Sequence, residues 1–268
     1  MSGSFGLAKA IGHAGEILQG QYLEAPFLVS LPAPIYTSTA EVHPSTDWRI
    51  NPRTRVKALL AAKIMSPQPL SIQLTSNIPI GRGCGSSTAD CVATIRAIAQ
   101  LQKRQLSSQE IAELTVASEL AADSTMFDLE PIVFQQRTGK VLRSLGTYWP
   151  PLYVSVIDLG GPDVHTLTTL PPNYTSEELD EFSSLLDQCV TAFAALDPQL
   201  LGQIATRSGK IHQRYHPHHA WPSCLEFAQR QGAYGLARSH SGTVAAVLSP
   251  RPIEGHTFYT LGDPAKGI

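Results

Sequence analysis

The chain has few cysteines, and no two of them stand at metal or redox spacing. Its four, Cys84, Cys91, Cys189 and Cys224, form no CxxC pair within 268 residues, which argues against a disulfide framework or a structural zinc. Isolated thiols fit a reducing cytoplasm. No run approaches the roughly 18 apolar residues of a membrane span. The first residues, MSGSFGLAKAIGHAGE, lack a charged segment followed by an apolar one, so no secretory signal is expected. An excess of one charge is lacking too: 20 basic and 22 acidic residues leave −2 at pH 7, interspersed without a like-charge block. No nucleic-acid partner is expected from such a balance. No internal repeat or low-complexity tract is present. What is there is a chain long enough to bury most of its apolar surface, as one large domain or two of ordinary size.

The stretch that organises the rest is 71–90, SIQLTSNIPIGRGCGSSTAD. An apolar-alternating strand runs into Pro79, a glycine-spaced loop follows, and a helical pattern begins. Gly81, Gly83 and Gly85 let the backbone approach a ligand closely and take positive φ. A helix opening just after them points free N–H groups and a partial positive charge at that ligand. A phosphate is the natural occupant. The loop is not a Walker A loop, because no lysine precedes the hydroxyl residues. It is not the dinucleotide fingerprint, because the third glycine comes one residue early. Ser86 and Ser87 at the helix start offer a hydroxyl to Mg²⁺. A purely structural turn is the competing reading.

Along the chain, the glycines of 12–20 suggest a tight turn that brings Glu16 to a site; an exposed glutamate on an ordinary hairpin competes. Residues 27–31 and 35–42 read as two strands parted by Pro32 and Pro34, and 43–53 as a loop. A helix is expected over 55–65 with Lys57 and Lys63 off its apolar face, a strand over 70–75, and a helix over 86–102. Ser107-x-x-Glu110 is a capping-box pattern that opens a further helix. That helix carries Glu119, Asp123, Ser124 and Thr125 to its C-terminal end. A strand pair follows over 131–135 and 139–142. The GTYWPP run at 146–151 marks a boundary between domains 1–148 and 149–268. Beyond it the pattern gives a strand over 152–159, helices over 176–197, 198–212 and 224–231, and strands over 233–238 and 243–248. Ser239-His240-Ser241-Gly242 links that last pair, and one more strand lies near 256–261. The histidines of 212–219 offer metal ligands, but Pro217 breaks helical pairing and no nearby acid or thiol completes a set. A solvated loop or helix end is the expectation there.

Read alone, Asp123 is a general base or a metal-side carboxylate and Glu119 a metal ligand; solvated acids at a helix end are the alternative. Residues 239–243 either touch a phosphate or substrate carboxylate or form a plain hairpin turn.

Together these pieces resemble the GHMP small-molecule kinases, the family of galactokinase, homoserine kinase, mevalonate kinase and phosphomevalonate kinase. Pro79-x-Gly81-x-Gly83-x-Gly85-Ser86-Ser87 is similar to that family's nucleotide loop, with Cys84 where leucine is usual. Residues 233–247 resemble its C-terminal glycine motif, and Gly15-Glu16 its N-terminal one. Within the family the chain looks most like the L-threonine kinases of cobalamin side-chain synthesis. The departures are a glutamate displaced by one residue at Glu119, Ile11-Gly12-His13-Ala14 before Gly15-Glu16, and His165 and Pro162 after Asp158.

The resemblance implies an α+β fold of two parts, the first like ribosomal protein S5 domain 2 and the second ferredoxin-like, with ATP and acceptor in the cleft. It implies a cytoplasmic kinase that uses ATP and Mg²⁺ on a small-molecule hydroxy-amino-acid substrate, threonine or a threonine-like compound, and it leaves room for a homodimer. Pro79, Gly81, Gly83, Cys84, Gly85, Ser86, Ser87 and Thr88 would hold the nucleotide, and Ser87 and Glu119 the metal. Asp123 would orient or deprotonate the acceptor, with Glu16 beside it. Glu16, Ser124, His240, Ser241, Gly242 and Thr243 would shape the acceptor side. Homoserine or another acceptor, and a non-catalytic nucleotide-binding homologue, are the rival expectations.

Overall fold

The structure, a computed structural model, describes residues 4–22, 25–162, 172–240 and 242–262. Ser241 and His165, both named above, lie outside the described residues. The N-terminal half runs β1 (Gly6–Tyr22), β2 (Ala25–Pro44), β3 (Arg49–Asn51), α1 (Val56–Met65), β4 (Leu70–Ser76), α2 (Ser86–Leu101), α3 (Ser108–Glu119), β5 (Ile132–Gln135) and β6 (Lys140–Ser144). Then come β7 (Leu152–Asp158), α4 (Ser176–Ala194), α5 (Pro198–Tyr215), α6 (Trp221–Arg230), β8 (Gly235–Arg238), β9 (Val244–Ser249) and β10 (Phe258–Leu261). The strands form one sheet in the order β10-β7-β9-β8-β1-β2-β4-β3, with β5 and β6 branching from β2. This is the expected α+β class. None of the described helices is long and apolar enough to cross a membrane.

Two expectations for the first strands are corrected. Residues 12–20 make no turn: they continue β1, and Glu16 is paired to Ser30 of β2. The register shifts at Ile11/Gly12, His13/Glu16 and Glu16/Leu18, and Gly15 takes φ +97°. These bulges break the alternation that would have marked a strand. Pro32 and Pro34 do not divide β2. They sit where its outer edge has no ladder partner, between Leu28, which meets β5, and Ser38, where β4 begins to pair. A missing N–H costs little there. The stretch expected as a loop at 43–53 contains β3, which lies parallel to β4.

One apolar cluster packs α1, α2 and α3 on β1, β2 and β4. A second packs α4 and α5 on the middle of β1 and β2 and on β7 and β9. The alanines of α2 let it lie against the sheet: a Cβ on Gly6 would fall 1.9 Å from the Ala97 carbonyl oxygen. Helix α1 likewise buries its small face, Ala58, Ala61 and Ala62 with Met65, and leaves Val56, Leu60 and Ile64 exposed. Close approach to neighbouring helices selects the small face over the larger one.

Candidate active site

The glycine loop ends at the first turn of α2. Gly85 is its N-cap, in the left-handed region at φ +70°. A Cβ there would lie 2.6 Å from His13 Cδ2 and 3.1 Å from Asp123 Oδ2, so glycine is required by conformation and by space. No side chain caps the helix and its first turn holds no acid, which leaves amides and partial positive charge to an anion. The Cys84 side chain is packed in the first apolar cluster. Burial pushes its thiol up to about 12, and its carbonyl accepts the His13 N–H at 3.1 Å. Pro79 and Gly81 are half-buried on the loop's approach.

Arg82 fastens this loop to the far half of the sheet. Its Nη1 donates to the Gly161 carbonyl at 2.8 Å and to Thr243 Oγ1 at 3.3 Å, and Nε lies 3.6 Å from Asp158 Oδ2. The Thr243 N–H donates back to the Arg82 carbonyl at 3.1 Å. Gly242 lies flat on the same peptide: a Cβ there would fall 2.0 Å from the Arg82 oxygen. The glycine motif of β8–β9 thus lies against the glycine loop before α2.

Helix α3 stops at Leu120, whose left-handed conformation turns the chain and leaves Glu119 facing α2. The one-residue displacement noted in the sequence does not keep Glu119 from the loop. Its Oε1 accepts from Thr88 Oγ1 at 2.6 Å and its Oε2 from Ser87 Oγ at 2.8 Å, with Lys57 Nζ 3.4 Å away. Burial raises Glu119 to about 7, against Lys57 and the two hydroxyls. A carboxylate beside a serine hydroxyl at a helix N-terminus is a hard oxygen donor set of the kind Mg²⁺ takes. Thr88 is buried, with its hydroxyl turned to Glu119.

Asp123 follows in the loop after α3. His13 Nε2 is 3.1 Å from its Oδ2, and His13 Nδ1 is 3.5 Å from Glu16 Oε1. Burial opposes a charge on His13, yet the two carboxylates carry it up to about 9. Burial also opposes ionisation of Asp123, and His13 overcomes it, holding the carboxyl below its ordinary range. Burial raises Glu16 to about 7 with His13 working against it. The three groups could together contact a metal, but a different ring nitrogen faces each acid. Nε2 faces Asp123, while Nδ1 takes the Gly15 N–H at 3.2 Å with Glu16 just beyond.

Of the acceptor-side residues, Ser124 lines a small pit with His13, Ser30 and Thr125. His240 holds Gln19 Oε1 through Nδ1 at 2.8 Å, and burial lowers its ring to about 4. Glu16 is brought beneath His13 and away from open space. The histidines at 212–219 form no metal set among the described residues; His212 lies buried inside α5 instead of in the expected solvated segment.

Sequence reasoning did not single out His13, Lys57, Thr88 as a partner of Glu119, or Arg82. His13 had a signal, since it departs from the family's N-terminal motif. Arg82 sat between two loop glycines. Lys57 carried only the mark of a solvated helix face.

The family of GHMP kinases N terminal domains matches residues 53–136. An L-threonine kinase of Citrobacter freundii is 30% identical over 91% of this chain and 86% of its own length. A homoserine kinase of Streptococcus sanguinis is 26% identical over 84% and 83%. Among solved structures, a mevalonate kinase superposes with a TM-score of 0.71 over 96% of this chain and 99% of that one, at 13% identity. That likeness speaks for the fold, while the nearly full-length match at 30% identity speaks for descent: the chain belongs to the GHMP kinase family.

Proposed function

We propose that the chain transfers a phosphoryl group from ATP to the hydroxyl of a small molecule, and that the acceptor is L-threonine or a threonine-like amino acid. The observation that carries this reading is the meeting of three features at one helix end: the uncapped N-terminus of α2, the Ser87–Glu119 pair and Asp123. The relative named for threonine spans most of both chains and supports the choice of acceptor. In this reading residues 1–148 and 149–268 are the two domains that flank the cleft.

ATP would supply the γ-phosphoryl group and leave as ADP, and Mg²⁺ would screen the phosphate charge. The amides of 81–88 would hold the phosphates, and Ser87 and Glu119 would hold the metal. Asp123 orients the acceptor hydroxyl and receives its proton. Phosphoryl transfer demands mainly positioning and charge neutralisation, so a carboxylate of low basicity suffices.

ATP consumption is measured with threonine, serine, homoserine and other hydroxy-amino acids. Threonine is expected to give the highest kcat/KM, and Asp123→Asn to lower kcat by ~10²–10⁴-fold. Full turnover in that variant would remove Asp123 from the chemistry. A second reading, homoserine as the acceptor, is favoured by the Streptococcus relative and wins if homoserine leads the panel.

A further inference from the structure

Asp123 has one carboxylate oxygen committed and one open. Oδ2 meets His13 Nε2 at 3.1 Å and lies 3.3 Å from Thr88 Oγ1, whose proton goes to Glu119. Nothing among the described residues donates to Oδ1, and the side chain is 24% exposed. His13 stands on β1 with its side chain only 3% exposed. Glu16, three residues on, is fully buried, and neither of its oxygens has a hydrogen-bond partner among the described residues. An unbonded carboxylate in the interior is costly unless a cation faces it. The cation within reach is His13.

We propose that His13 is the positioning residue of the site: a cation held on β1 by Glu16, it fixes Asp123 Oδ2, keeps that carboxylate ionised and leaves Oδ1 as the atom that meets the acceptor hydroxyl. The proposal rests on the kinase reading and changes the part given to Glu16, which acts through His13 without touching the acceptor. Five groups face the cluster: Thr88 from α2, Asp123 from the loop after α3, Glu16 and the Gly15 N–H from β1 itself, and His240 from the segment after β8; the Gly15 N–H points at Nδ1 at 3.2 Å, and a protonated ring gives up that contact for Glu16. Burial keeps His240 neutral, so the charge beside Asp123 is that of His13. Gly85 belongs to the same device, since any side chain there would occupy the space of the His13 ring. His13 gains no proton during transfer. Its part is to hold one oxygen so that the other is aimed, and a weaker base is the accepted cost.

Three measurements test this: the pH dependence of kcat and kcat/KM, the ¹⁵N titration of the His13 ring, and the same pair in His13→Gln, His13→Lys and Glu16→Gln. In the wild type the ring is expected to titrate well above the ordinary 6.5. His13→Gln lowers kcat by ~10–100-fold, less than loss of the base itself, and moves the acid limb up by about one pH unit or more, tenfold in proton concentration. The loss falls on kcat and not on the KM for Mg-ATP. Glu16→Gln, which removes only an unbonded buried acid, shifts both the ring titration and the acid limb in a milder form. His13→Lys restores the limb. An acid limb unmoved in both His13→Gln and Glu16→Gln would overturn the proposal, as would a wild-type ring that titrates at or below 6.5. The ring titration needs no turnover, so the two ideas fail separately. A charged His13 in a protein that phosphorylates no acceptor sinks the kinase reading, whereas full turnover with unmoved profiles sinks the pairing.

Discussion

The decisive side chains are those whose ionisation depends on one neighbour. Against its burial, the two carboxylates raise His13 from its ordinary 6.5 to about 9. A raised base stabilises the fold fully below its unfolded value and loses that contribution as pH rises through the folded one. Wild-type melting temperature should therefore fall between pH 6.5 and 9 relative to His13→Gln, which lacks that imidazole, with Glu16→Gln added to both proteins to remove the carboxyl that also titrates there. Parallel curves would contradict the ion pair. Glu119 makes a second prediction. Mg²⁺ bound by the native state alone adds stability, about 2.7 kcal/mol at a hundred times Kd. Magnesium should raise the wild-type melting temperature, and EDTA should reverse it. Glu119→Gln should lose most of that response. An equal response in both proteins would take Glu119 out of the metal site. At this scale the sequence was half legible. Asp123, Ser87 and Glu119 stood at motif positions, but motif position says nothing about which oxygen a neighbour occupies. The contacts of His13 and Lys57 depend on elements 110 and 62 residues away, which local pattern cannot register.

Elements whose ends are fixed by local chemistry were the readable ones. The capping box at Ser107 and Glu110 is present, as is the left-handed glycine that opens α2. Helix α4 opens with a capping box of its own at Thr175 and Glu178. The strands β1 and β2 were misread because tertiary context overrides local cues: a bulged strand looks like a turn, and prolines at an unpaired edge look like a break. The two kinds of helix start predict different losses. Ser107→Ala removes a cap far from the loop and should cost ~1 kcal/mol of stability with kcat/KM within about twofold. Gly85→Ala must place a side chain at φ +70° against His13 and Asp123, which costs ~1–3 kcal/mol of strain. It should also raise the KM for Mg-ATP and lower kcat together, because the phosphate loop and the carboxylate share that space. Thermal melts with steady-state kinetics on both variants separate the cases. A Gly85→Ala enzyme with normal kinetics would detach the loop from the site.

At the scale of the molecule the two apolar clusters are joined by covalent and hydrogen-bonded continuity. Strand β1 supplies Ala10 to the first apolar cluster and Ala14, Ile17 and Leu18 to the second, and it carries His13 and Glu16 between them. The same strand meets β8 at Glu16 and Arg238, so the sheet runs unbroken past the site. Arg82 ties the glycine loop to Gly161, Asp158 and Thr243. A loop fastened to both halves cannot hold phosphate in one geometry while the acceptor side takes another. Shortening the tie should therefore disturb both substrates at once. Arg82→Gln, whose side chain no longer reaches the Gly161 carbonyl, is expected to raise the KM for ATP and for the acceptor by similar factors, ~10-fold each, the scale of a lost charge-assisted hydrogen bond. Its melting temperature should stay within about 2 °C of wild type, since Arg82 is not part of either apolar cluster. Steady-state titration of each substrate at saturating levels of the other reads the two KM values. A rise in the KM for ATP alone would mean that Arg82 serves the phosphate loop only, and that the continuity of the sheet, without this tie, aligns donor and acceptor.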